Sequence, residues 1–218
     1  MKKKSLTAAM AEREKQKNEA PGHGWHSAAY HRHFEGWAEI ERRDEQGRVR
    51  IERVYRGTWY IQSLSRAQRL RERASLVVLV LAALALFVYA ALRPVAGNAQ
   101  WFPALGQFAV IAAALYTLTG LFNYLTCSGK MTVGEYKGGP VRFRRGCVVM
   151  IAALLLCVLL YVLCAFLYEA GIGTHLLCAA LCLGAALLLA LAHRLDANVP
   201  YDNEESEESA DPDAVEIE

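Results

Sequence analysis

Cysteine and histidine are the residues here whose types and spacing suit reactive or ligand chemistry. Six cysteines occur in the 218-residue chain. On helices, Cys157 and Cys164 share one face, and so do Cys178 and Cys182. If the chain reverses near Gly171, Cys164 and Cys178 stand at equal depth, and Cys157 lies about one turn from Cys182. Thiolates placed in this way would suit a soft metal such as Cu(I). No Met-rich stretch or histidine accompanies them, so packing is the better reading: cysteine is a small, polarizable filler in an Ala/Leu/Gly-rich core. Cys127 and Cys147 fall on the reducing side of the orientation derived below, which excludes a disulfide framework.

His23, His26, His31 and His33 form a short His-rich tract of the kind that takes Zn²⁺ or Cu²⁺. It lies in a Gly-bearing stretch without a cysteine partner, so no metal site and no cofactor is expected. His175 reads as an interfacial residue. Tyr116, Thr119, Gly120 and Asn123 share a helical face that could line a solute path; the commoner role of such residues is hydrogen bonding between helices. Ala180 and Gly184 form a small-xxx-small packing pair on the same logic. The chain carries no phosphate-binding loop, dinucleotide fingerprint, zinc-protease pair or nucleophile elbow. The reading is non-enzymatic.

The elements that must position these residues follow from an uneven charge distribution. Residues 1–74 hold 17 Lys/Arg against 10 Asp/Glu, a balance of +7, and residues 194–218 hold 10 acidic residues against Arg194, a balance of −9. Between them the sequence is mostly Leu, Ala, Val and Cys. A soluble globule spreads its charges along the chain, and a disordered chain lacks the apolar half; both classes are excluded.

Four apolar runs, 75–92, 104–125, 147–168 and 172–192, contain no Asp, Glu, Lys or Arg. Each is long enough to cross a hydrocarbon core of about 30 Å as a helix. The runs do not alternate as barrel strands must. The fold class is therefore an all-α membrane protein with four transmembrane helices, preceded by a small cytoplasmic β-hairpin module. Ahead of the first run stand Arg66, Arg69, Arg71 and Arg73; between the second and third stand Lys130, Lys137, Arg142, Arg144 and Arg145. The link between the first and second runs holds only Arg93, and that between the third and fourth holds no Lys or Arg. Basic residues stay on the cytoplasmic side, so both termini are expected inside a bacterial cytoplasmic membrane. The charged opening lacks the apolar region of a cleavable signal, and the first helix is expected to act as an uncleaved anchor.

The domain reading has four parts: 1–35 unstructured, 36–74 a basic hairpin and juxtamembrane helix, 75–193 the four-helix bundle, and 194–218 an acidic disordered tail. Two β-leaning runs flank Asp44-Glu45-Gln46-Gly47, a hairpin signal. Val49 and Ile51 with Trp37, Tyr55, Trp59 and Tyr60 are expected to cover one face of it. Ser65 and Gln68 read as a capping box opening the basic helix. The link 127–146, with five glycines and Pro140, is expected to be broken, and the tail lacks the apolar residues needed to fold. Its charge, opposite to that of residues 1–74, suggests a salt-sensitive clasp.

The phrases ERVYRGTWYIQSLS, RPVAGNAQWF and KMTVGEYKGG resemble a group of uncharacterised four-helix membrane proteins from Clostridia-like bacteria. The resemblance spans roughly Gly36 to Arg194; it implies the architecture and no activity.

The functional expectation is an accessory or scaffold protein. Arg66, Arg69, Arg71, Arg73, Lys130, Lys137, Arg142, Arg144 and Arg145 would meet anionic inner-leaflet lipid or a protein partner, and the chain would join a larger complex or a homo-oligomer. The alternative is a transporter or channel component for a neutral or apolar solute, acting as an oligomer, with Tyr116, Thr119 and Asn123 along its path. A nucleic-acid role for the basic stretch 48–73 is set aside, because orientation and lipid contact already account for its charges.

Overall fold

The computed structural model describes residues 36–43, 49–95, 98, 100–168 and 171–205, which fall into two compact units divided between Thr58 and Trp59. In the first unit, strands β1 (Trp37–Arg43) and β2 (Val49–Tyr55) pair antiparallel, with Trp37 opposite Tyr55 and Arg43 opposite Val49. This is the expected hairpin. Gly36, at φ +87°, receives the Arg56 and Gly57 amides on its carbonyl (2.8 and 3.1 Å). A Cβ there would meet the Tyr55 ring at 2.8 Å, so both backbone conformation and space call for glycine. Trp37 stands edge-on to Tyr55 at 5.5 Å. Trp59 and Tyr60, expected on the hairpin face, belong to the second unit.

That unit holds four long helices: α1 (Arg66–Ala91), α2 (Trp101–Thr126), α3 (Val133–Leu167) and α4 (Ile172–Ala197). All four are long and apolar enough to cross a membrane, and no more than 44% of the most apolar stretch of any is covered by the rest of the protein. The helices run past the apolar runs into polar turns. Ser65 and Gln68 form the expected capping box at the start of α1. A second box, Thr132 with Glu135, opens α3 inside the segment expected to be broken, leaving a link of only Cys127 to Thr132. Pro140 lacks an N–H and would clash with the carbonyl four residues back. The helix accommodates it by widening to a π turn over Lys137–Val141, and Asn123 Nδ2 donates to the Gly138 carbonyl (3.2 Å).

Helix α4 packs against α1 and α3, and α3 also packs against α2. Consecutive α1 and α2 meet chiefly at their ends. Helices α2 and α3 approach backbone to backbone: a Cβ at Gly120 would lie 2.7 Å from the Phe143 nitrogen and one at Gly146 2.8 Å from Thr117 Cα. The pair expected to pack tightly, Ala180 and Gly184, does not. Ala180 is exposed, and a Cβ on Gly184 would touch Leu86 at an ordinary 3.4 Å.

Three short strands close one end of the bundle. The central strand β3 (Trp59–Gln62) pairs antiparallel with β4 (Lys130–Met131) on one side and β5 (Tyr201–Glu204) on the other. Tyr60 is opposite Met131 and Asn203, and Gln62 is opposite Tyr201. The tail therefore departs from the expectation of disorder: α4 continues to Ala197 and the chain returns as β5, because β3 offers it a hydrogen-bonding edge. Residues 206–218 lie outside the described residues. At the other end of the bundle, Asn98 Nδ2 donates to the carbonyls of Ala91 and Arg93 (3.1 and 2.8 Å). Its Oδ1 accepts from Gln107 Nε2 (2.9 Å) and the Tyr161 hydroxyl (2.7 Å).

Candidate functional site

Beneath the three-stranded sheet, every helix contributes a polar side chain to one cluster. Gln62, at the end of β3, points its amide inward: Nε2 donates to Glu72 Oε2 of α1 (3.0 Å) and to the Tyr124 hydroxyl of α2 (3.2 Å). Tyr124 donates to Glu72 Oε1 (2.8 Å). The Tyr201 hydroxyl of β5 lies 3.4 Å from that of Tyr124. Arg144 of α3 donates through Nε to the Asp196 carboxylate of α4 and through Nη2 to the Asp196 carbonyl (2.8 Å). Gln62, Tyr124 and Asp196 are buried, at 3%, 0% and 0% exposure. Asp196 Oδ1 and Gln62 Oε1 find no hydrogen-bond partner.

Aromatic rings seal the cluster. Tyr136 stacks on Tyr60 at 4.1 Å and stands edge-on to Tyr201 at 5.1 Å, while the Arg144 guanidinium lies over the Tyr201 ring at 5.8 Å. Glu72 precedes the apolar stretch of α1. Burial pushes its carboxyl above the ordinary range; the hydrogen bond from Tyr124 opposes this, and the nearby Asp196 charge adds to it. Burial likewise raises the Tyr201 hydroxyl. The Tyr124 hydroxyl is thus held against one carboxylate, that of Glu72, while the Asp196 carboxylate is held by Arg144. The hydrogen bonds within the cluster involve no cysteine, and its carboxylates number two.

The nine basic residues expected to face lipid or a partner divide into two groups. Arg73 turns inward, where Nη1 and Nη2 donate to the carbonyls of Leu125 and Cys127 (3.1 and 2.9 Å), and thus caps the C-terminus of α2. Arg144 is committed to Asp196. Arg142 lies over the Tyr116 ring at 4.8 Å, Lys130 over Trp59 at 4.9 Å and within 3.6 Å of Glu204, and the Arg69 guanidinium against Gly129. Lys137 is exposed in the π turn. Arg66, Arg71 and Arg145 are also exposed.

Of the suggested stripe only Gly120 is buried. Tyr116 and Thr119 are exposed, the Thr119 hydroxyl donating to the Tyr116 carbonyl (2.8 Å), and Asn123 serves the π turn. Thr117, Gly120 and Tyr124 form the buried edge of α2 instead. Among the described residues, no group of three or more His, Cys, Asp and Glu side chains is placed to hold a metal ion. All six cysteines are free thiols, and five are buried. His175, in the first turn of α4, is fully buried with its ring near Tyr168. The tract His23 to His33 lies outside the described residues.

Sequence reasoning passed over Gln62, Glu72, Tyr124, Asp196 and Tyr201. A signal for three of them was present. The buried stripe of α1 (Leu76, Val80, Ala83) extends back four residues to Glu72, that of α4 (Leu189, Ala192) runs on to Asp196, and Tyr124 ends the stripe of α2. No protein-family model, curated protein or solved structure matches the chain.

Proposed function

We propose that the protein is a non-enzymatic integral membrane scaffold or accessory subunit of a bacterial cytoplasmic membrane, with both termini inside. One observation carries the reading: pairing of β3 with β4 and β5 gathers the segments bearing Arg66 to Arg73 and Lys130 to Arg145 at a single end of the bundle, while the described residues of the links at the other end carry Arg93 as their one Lys or Arg. That end would face the cytoplasm. The apolar outer faces, Val78, Leu81 and Phe108 among them, need an apolar medium, and lipid supplies it. The basic residues not used internally, Arg66, Arg71 and Arg145, would meet anionic headgroups or an acidic partner.

The test is a mild-detergent pull-down of the tagged chain from native membranes, with sizing and mass spectrometry. A stoichiometric partner that stays bound supports the accessory reading. A homo-oligomer with nothing attached overturns it in favour of an oligomeric transporter for a neutral or apolar solute, to be followed by flux assays. A reporter fused after residue 205 checks the orientation separately.

A further inference from the structure

At the sheet-bearing end of the bundle, Arg73, Arg144 and Lys130 find acceptors within the protein. Two arginines of α3 do not. Among the described residues, Arg142 and Arg145 donate no hydrogen bond and form no ion pair. Arg142 has only the face of the Tyr116 ring, 4.8 Å from its guanidinium, and its Nε is buried without a partner. Glu135, the acid in the first turn of the same helix, is taken up by Thr132, whose amide and hydroxyl both donate to its Oε2 (2.8 and 3.2 Å). Each guanidinium carries five N–H donors, so these two present a demand for acceptors that their surroundings leave unmet.

Register fixes where they stand. A Cβ on Gly120 of α2 would lie 3.1 Å from the Arg142 carbonyl carbon, so Arg142 is level with Gly120, six residues inside the end of α2 at Thr126. At 1.5 Å per residue that is about 9 Å. Arg145 follows one turn further in. Beyond it the outer face of α3 is apolar: Val149 and Leu156, on the turns that continue from Arg145, are 52% and 46% exposed. On α2, the turns that continue from Tyr116 away from the sheet carry the exposed Ala112 and Leu105. Contact of Arg142 with Tyr116 sets these two rows along one side of the α2–α3 seam. The result is a pair of uncompensated cations at the head of an apolar furrow.

We propose that this side of the α2–α3 seam binds one anionic phospholipid of the cytoplasmic leaflet, its phosphate held by Arg142 and Arg145 and an acyl chain laid along the furrow; the site rests on the membrane reading given above. Charge selects the occupant. Cations at the edge of an apolar face call for an anion, and a guanidinium meets phosphate oxygens two at a time. A zwitterionic headgroup brings an ammonium that both arginines repel. A soluble anion satisfies the arginines but leaves the furrow below them uncovered. A phospholipid with net negative charge answers both requirements in one molecule. The Tyr116 ring is the platform that holds the Arg142 guanidinium over the furrow.

For the test, the full chain is purified in mild detergent, stripped of lipid and offered phosphatidylglycerol or phosphatidylcholine with the same acyl chains. Native mass spectrometry counts the lipid that stays bound. The wild type should hold one phosphatidylglycerol at least about tenfold more tightly than phosphatidylcholine, as two arginines beside a headgroup imply. The double variant Arg142→Gln/Arg145→Gln should lose that preference. Arg66→Gln/Arg71→Gln, which removes the same charge elsewhere at that end, should keep it. Equal preference in the wild type and the α3 double variant, or equal loss in both variants, overturns the site. If the α3 double variant sheds a co-purifying protein while its lipid preference is intact, the arginines serve an acidic partner and the lipid site falls. A second measurement needs no variant: phosphatidylglycerol with a diazirine near the top of one acyl chain is placed in phosphatidylcholine nanodiscs holding the wild type. Its label should concentrate on residues 105–116 and 145–156. Label spread evenly over all four helices overturns the site and leaves the membrane reading standing; no label on any helix overturns both.

Discussion

The two ends of the bundle solve one problem in opposite ways. Each must satisfy the carbonyls and side chains where helices stop. One end uses charge: Arg73 caps α2, Arg144 grips Asp196, Glu72 takes two donors, and three strands from distant parts of the chain roof them over. The other uses neutral groups, with the Asn98 amide capping α1 and Gln107 and Tyr161 holding that amide in place. Neutral hydrogen bonds have a small net value, whereas breaking a buried charge pair leaves a desolvated ion behind. The charged end should therefore be the brittle one. If the chain inserts as proposed, neutrality also suits the end that must be carried across the bilayer.

Unfolding in detergent can break this comparison. Asp196→Ala strands Arg144 and should cost about 3–5 kcal/mol; a loss below about 1 kcal/mol would put the two ends on a par. The glycine contacts give the next effect. Gly146→Val drives side-chain atoms into the Thr117 backbone and should cost about 1–3 kcal/mol. Gly184→Ala fits at 3.4 Å and should cost nothing, gaining up to about 1 kcal/mol from helix propensity. Equal losses at the two positions would mean that α2 and α3 are not held backbone to backbone.

At the neutral end, Tyr161→Phe removes one hydroxyl from Asn98 and should cost about 1 kcal/mol, seen as a modest lowering of Tm. Ser65→Ala should cost a similar amount by removing the cap of α1. The smallest change in stability, within about 0.5 kcal/mol, belongs to Gln substitutions at the exposed Arg66, Arg71 and Arg145. Their effect should appear in co-flotation with anionic vesicles, at about 1 kcal/mol of attraction per arginine. Unchanged co-flotation would remove lipid contact from the proposal.

The helices were legible because each apolar run is continuous and needs no partner to be recognised. The Ser65 cap and the β1–β2 hairpin were legible because their signals sit within a few residues of one another. The sheet was not: β3, β4 and β5 are four, two and four residues long, and each becomes a strand only because the others arrive. The charged cluster was hidden for a related reason. Glu72, Arg144 and Asp196 lie just outside the apolar runs, where a sequence reading assigns every charge to solvent or lipid. Only the continuation of a buried helical stripe past the end of its apolar run separates an inward carboxylate from an outward one. The π turn at Lys137–Val141 escaped notice because glycines and a proline normally signal a loop.

The strand order has a consequence in time. On the ribosome β3 is complete at Gln62, but β5 begins only at Tyr201, after all four helices. At about 5–20 residues per second, that interval is roughly 7–28 s. For that period β3 carries an open edge, able to pair with any extended segment nearby. Helix α4 must also arrive before α1 has its packing neighbour. Chain order therefore makes the last-made helix and strand the fasteners of the first, and a chain interrupted during synthesis would display an unpaired edge by which chaperones or proteases could recognise it as unfinished.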